Sequence, residues 1–218
     1  MPAIYSTTWR YLKLIQTLWL VRHAERLDFF QPEWFDTALY RYDPPLSPQG
    51  FDRAISLALE FSHIPLDRII TSPFLRTIQT ADPLARLLHL PIQLEWGLCE
   101  WLCQDWTSEF PETTPIDELV NNYPNVEAVY QSLVLPCYPE TLEKLGIRIN
   151  IIAHKLVQAN CENVLAIAHK GSILGIVAAL TGEAQWQNED LPCGGVVKLV
   201  YADGRWSSIL EGYAMTEC

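Results

Sequence analysis

The sequence predicts a three-layer α/β/α sandwich with a mainly parallel sheet and right-handed crossovers. Three observations carry that reading. Short apolar runs of strand length alternate with long amphipathic stretches along the chain. The run NVLAIAH at 163–169 is apolar without alternation, the pattern of a strand covered on both faces. Two amphipathic stretches begin at Ser47-Pro48 and Ser72-Pro73, where serine suits the N-cap and proline the first helical position.

Each element follows in order. Leu14–Val21 reads as the first strand, and 28–45, rich in aromatic residues and proline, as a loop. A helix from Ser47 carries Phe51, Ala54, Ile55, Ala58 and Leu59 at helical spacing. Residues 67–71 form a short strand, and Ser72 caps a helix whose buried stripe is Phe74, Ile78, Ala81, Ala85 and Leu88. Pro83 is expected to kink or split that helix. Ile92–Leu94 is a further strand. The segment 96–140 is long, punctuated by proline and weakly periodic, so it reads as an inserted lid over the sheet edge or the site. A helix at about 141–159, the strand 163–169 and a helix at 171–181 follow, and 195–211 forms a hairpin turning at Asp203-Gly204. The whole, 1–218, is expected to be a single domain.

Composition narrows the function. An apolar fraction of 49% with 19% charged residues is that of a globular chain. A net charge of −11 argues against a nucleic-acid or anionic-membrane binder, which needs a basic face. No run is long enough to span a membrane or to serve as a secretory leader. The six cysteines are therefore expected to be reduced and the protein cytoplasmic. No metal or other cofactor is implied.

The chemistry gathers where strands end. In open α/β sheets ligands bind outside the carboxyl ends of the strands. His23 follows the first strand and His169 ends the strand 163–169, so both reach one rim. Arg22, Arg26 and Arg76, the last in the opening turn of a helix, are expected to converge there on an anion. Forked guanidinium donors suit phosphate, and a neutral imidazole among them is a nucleophile for phosphorus. A carboxylic acid must then protonate the leaving oxygen. Glu100, between Leu98, Trp101 and Leu102, has the apolar surroundings for it; Glu95 is the alternative.

The stretches LVRHAER, LSPQG, TSPFLRTIQTA, GLCEW and AHKGS resemble, in order and spacing, those of the histidine phosphatase (phosphoglycerate mutase-like) superfamily. The likeness spans roughly 15–182 and is greatest to the Sts-type phosphatase branch. It implies that His23 is the phosphorylated nucleophile, Glu100 the proton donor, and Arg22, Arg26, Arg76 and His169 the phosphate pocket. Ala24 and Lys170 depart from the family pattern. Pro139-Glu140-Thr141 stands where many members have Gly-Glu-Ser, and Glu140 is given no role. Glu25 is expected to orient a neighbouring arginine.

Between Arg86 and Lys144 there are ten carboxylates and no lysine or arginine. An acidic lid would repel a second phosphate or a substrate carboxylate. The expected activity is phosphomonoester hydrolysis through a phosphohistidine, on a small or aromatic monophosphate ester, possible substrates including a phosphotyrosine-like one. A phosphoglycerate mutase-type transferase and a non-catalytic module that binds phospho-ligands are the alternatives. A homodimer through the C-terminal hairpin is compatible with the pattern.

Overall fold

Alternation along the central strands divides the core in two. The computed structural model describes residues 16–158, 161–183 and 190–210. Its sheet comprises β1 (Thr17–Arg22), β2 (Arg68–Thr71), β3 (Ile92–Leu94), β4 (Asn163–Ala168), β5 (Val196–Ala202) and β6 (Arg205–Leu210), in the order β3-β2-β4-β1-β5-β6. β1, β2 and β3 run parallel with their neighbours up to β4, while β5 and β6 add an antiparallel hairpin. Leu18 and Leu20 face one side with Val164 and Ala166; Trp19 and Val21 face the other with Leu165 and Ile167.

Helices cover both faces, completing the three layers. α5 (Leu142–Val157) and α6 (Lys170–Thr181) pack on the Leu18 side. α2 (Pro48–Phe61) and α3 (Leu75–Leu88) pack on the Trp19 side. Each fully buried leucine or isoleucine adds roughly 1.5–3 kcal/mol, and Leu18, Leu20, Ile69, Ile78, Leu165 and Ile152 are all in that state. Such a core can carry several buried charges at one end of the sheet.

Several expectations change. α2 does begin at Ser47, whose hydroxyl accepts from Gly50 N at 3.0 Å. Its buried face, however, is Gly50, Ala54, Leu57, Ala58 and Phe61, and Phe51, Ile55 and Leu59 are exposed. Both faces of this helix are apolar, so periodicity alone could not choose. A Cβ at Gly50 would lie 2.2 Å from the Glu25 carbonyl oxygen, which makes glycine the residue for that approach. α3 starts at Leu75, not at Pro73, and runs unbroken through Pro83. The 28–45 loop contains a 3₁₀ turn at Leu27–Phe29 and one helical turn, α1 (Trp34–Thr37).

The hairpin turns at Asp203 and Gly204, both at positive φ, as the sequence predicts. Segment 96–140 holds a 3₁₀ turn (Trp96–Leu98) and α4 (Ile116–Asn122) and is otherwise irregular. It flanks the sheet edge, where Val126 bridges Ile92. Residues 14, 15, 159 and 211 of the predicted elements lie outside the described residues. Among the described residues no helix is long and apolar enough to cross a membrane.

Candidate active site

Parallel pairing delivers the site. β2, β4 and β1 are adjacent and end at one rim, so the residues that follow them, Ser72, His169 and His23, stand side by side. His23 N donates to the Ala168 carbonyl at 3.0 Å, and Ser72 N to the Ile167 carbonyl at 3.0 Å. The two imidazoles are almost completely buried, with ring centroids 5.3 Å apart.

The tautomers follow from their partners. His23 Nδ1 lies 2.8 Å from the Ala24 carbonyl, which can only accept, so Nδ1 carries the proton and Nε2 the lone pair. His169 Nδ1 lies 3.3 Å from Arg76 Nη2, which can only donate. Its Nε2 therefore donates to Ser72 Oγ at 2.9 Å. Burial first, then the positive charge of Arg76, holds both histidines well below their ordinary pKa. Arg22 and Arg26 add to the field on His23.

Arg76, in the first turn of α3, is buried over the Phe74 ring at 4.6 Å. Burial and the charge of Arg26 push its pKa down to about 10. Its Nε and Nη1 are buried with no hydrogen-bond partner among the described residues. Such orphaned cationic donors are costly unless an anion meets them. Glu100 Oε2 stands 3.8 Å from His169 Nδ1, and its Oε1 accepts from Trp101 N.

The other predicted residues are less directly engaged. Arg26 lines the same cleft, but its Nε and Nη2 donate to Asp28. Arg22 Nη1 donates to the Leu191 carbonyl at 2.7 Å, and its Nε has no partner among the described residues. Glu25 forms no ion pair with an arginine among the described residues. It contributes its backbone carbonyl, which accepts from Ser47 N at 2.8 Å. Glu95, the alternative to Glu100, is fully buried and accepts from Gly97 N, Leu133 N, Val134 N and the Tyr130 hydroxyl. It folds the insertion and does not face the cleft. Lys170 pairs with the exposed Asp190.

Several contributors carried no signal that sequence reading used. Ser72, read as a helix cap, holds His169. Asp43 does the capping: its carboxylate accepts from Leu75 N at 2.7 Å and from the Thr114 amide and hydroxyl. Thr80 accepts from Ala24 N at 3.0 Å, fixing the turn after His23. Glu140 and Arg148 form a buried ion pair behind Glu100.

A cleft of about 300 Å³ opens in front, lined by Arg26, Arg76 and Glu100 and walled by Phe35, Tyr42, Phe74, Trp101 and Trp106. Of the ten carboxylates between Arg86 and Lys144, Glu100 alone lines it, and Arg41 contributes a further cation. The acidic insertion therefore does not surround the cleft with negative charge, contrary to expectation. Among the described residues no group of three or more His, Cys, Asp or Glu side chains is placed to hold a metal ion.

Comparison with known proteins bears on this geometry. The profile of the Histidine phosphatase superfamily (branch 1) matches residues 18–212. The transcription factor tau 55 kDa subunit of Saccharomyces cerevisiae is 25% identical over 78% of this chain and 42% of its own length. Ubiquitin-associated and SH3 domain-containing protein B of Mus musculus is 28% identical over 69% of this chain and 26% of its own. The chain thus spans less than half the length of these two relatives. The crystal structure of the ecdysone phosphate phosphatase from Bombix mori, in complex with tungstate, superposes with a TM-score of 0.73. It covers 93% of this chain and 98% of that one at 18% identity, a likeness of fold.

Proposed function

The chain belongs to the histidine phosphatase superfamily, and on that premise we propose that it hydrolyses phosphate monoesters through a phosphohistidine at His23. One observation carries the reading: the Ala24 carbonyl fixes the His23 proton on Nδ1, so the bare Nε2 is the attacking atom. The depressed basicity of His23 keeps that lone pair free at neutral pH without a separate base.

In the proposed step the Nε2 lone pair forms the N–P bond while the P–O ester bond breaks. Glu100 passes its proton to the leaving oxygen. Arg76, with its Nε and Nη1 otherwise unmatched among the described residues, and Arg26 and Arg22 balance charge on the phosphoryl oxygens. The dianion also reverses the local field, favouring a proton on His169 Nδ1 that donates to phosphate. Water, deprotonated by the Glu100 carboxylate, then attacks phosphorus, the N–P bond breaks, and phosphate leaves. Because guanidinium and imidazole groups supply the positive charge, no metal is needed.

The aromatic walls support an ester with an aromatic or apolar body over bisphosphoglycerate or an inositol polyphosphate. A screen of phosphate esters in EDTA tests the proposal, with trapping of acid-labile, base-stable protein phosphate. The expected result is label at His23, none in a His23→Ala variant, and higher kcat/KM for aryl phosphates than for the polyanions. Turnover retained by His23→Ala would overturn the mechanism, and preference for the polyanions would overturn the substrate class.

A further inference from the structure

Two segments of the insertion meet behind Glu100, and a single buried ion pair joins them. Arg148, on α5, is 3% exposed, and all five of its N–H donors are used. Nε and Nη2 donate to the Glu140 carboxylate, each at 2.8 Å. Nη1 donates to the carbonyls of Gly97 and Cys99, at 2.8 and 3.0 Å, and Nη2 also reaches the Glu100 carbonyl at 3.4 Å. The backbone that enters Glu100 is thus held by one guanidinium.

Glu140 holds the backbone that leaves it. Its carboxylate meets Leu102 N at 3.4 Å, its amide donates to the Leu102 carbonyl, and its carbonyl accepts the Trp101 indole N–H at 2.8 Å. Ser172, on α6, donates to the Cys99 carbonyl at 2.7 Å. Gly97 lets the turn sit close on α5, since a Cβ there would lie 2.9 Å from Ile152 Cγ1. Glu100 itself is left partly exposed, its Oε1 on Trp101 N and its Oε2 turned toward His169 at the cleft.

We infer that Glu140 and Arg148 are positioning residues, which together set Glu100 at its distance from the leaving oxygen. This rests on Glu100 being the proton donor. The planar fork matters as much as the charge: a lysine could balance Glu140 but could not hold three carbonyls in fixed directions. In the transfer to His23, a small drift of the donor harms only those esters whose leaving oxygen needs its proton in the transition state.

Leaving groups separate this role from mere stability. Phenyl phosphate expels a basic oxygen and needs the proton; 2,4-dinitrophenyl phosphate expels a stable anion and does not. In Arg148→Lys and in the milder Glu140→Gln, kcat/KM on phenyl phosphate, which reports transfer to His23 and not the later attack of water, is expected to fall about 10- to 100-fold. On the dinitrophenyl ester it stays within about twofold, and thermal melts identify the variants that are folded at assay temperature. In a Glu100→Gln background neither substitution is expected to lower kcat/KM for phenyl phosphate further. Equal losses on both esters, or losses that add to that of Glu100→Gln, would overturn the inference. A Glu100→Gln variant indifferent to the leaving group would remove the premise instead, and the inference with it.

Discussion

Arg76 and Arg148 are 2% and 3% exposed, and the fold treats them in opposite ways. Arg148 spends every donor inside the protein, on one carboxylate and three backbone carbonyls. Arg76 shares one contact with His169, sits on the Phe74 ring, and among the described residues leaves Nε and Nη1 unmatched. Desolvation opposes the charge of Arg148, but its hydrogen bonds to Glu140 and the charges around it outweigh that and raise its affinity for the proton, whereas desolvation and Arg26 lower that of Arg76. A buried cation whose donors are all answered by the chain is scaffold. A buried cation left unanswered at the end of a parallel sheet still has donors to offer, the basis on which Arg76 is proposed to meet phosphate. Burial alone does not distinguish them; the donor count does.

That contrast can be broken by exchanging its terms. The largest expected effect is on stability: Arg148→Met leaves Glu140 charged, buried and alone, and should cost about 3–5 kcal/mol. Chemical denaturation measures it, and a loss under about 1 kcal/mol would deny the brace its structural weight. Pairing it with Glu140→Gln should recover part of the loss, because no lone charge is then buried. Arg76→Met should lower kcat/KM by about 10²- to 10³-fold, with the melting temperature unchanged or raised. A drop in melting temperature matching that of Arg148→Met would place both arginines in the scaffold.

The smallest effect is a pH dependence confined to the site. Both histidines are held below their ordinary pKa, so under acid the unfolded chain binds protons there and the folded chain does not. Their contribution is complete above about pH 6.5 and is lost as pH falls from there. Each histidine adds a slope approaching about 1.4 kcal/mol per pH unit. Melts in phosphate-free buffer between pH 7.5 and 5.5, roughly the window of imidazole titration, should show it. A His23→Asn variant should lose about half of that slope. An unchanged slope would mean that burial and the arginine field do not depress the basicity of His23.

Much of this arrangement was legible from residues alone. Ser47-Pro48 marks a helix start because the serine hydroxyl needs only an amide three residues on. His23 and His169 could be placed at one rim because a βα unit delivers the residue after each strand to the same edge. The same local logic misread Ser72, whose hydroxyl serves His169, while Asp43, distant along the chain, caps α3. It left Glu140 without a role, and it grouped the exposed Phe51, Ile55 and Leu59 with the buried Ala54 and Ala58 on α2. Those misreadings share one origin: each residue's partner comes from another segment.

By itself, then, the sequence determined the period of each element, the order of strands and helices, and the residues that follow each strand. These depend on backbone sterics, side-chain spacing and short loops, which act over a few residues. Tertiary structure alone decided which apolar face of α2 is buried, which carboxylates fold the insertion, and which arginine is left with donors to offer. Desolvation and hydrogen-bond matching settle those questions, and they exist only once distant segments have packed together.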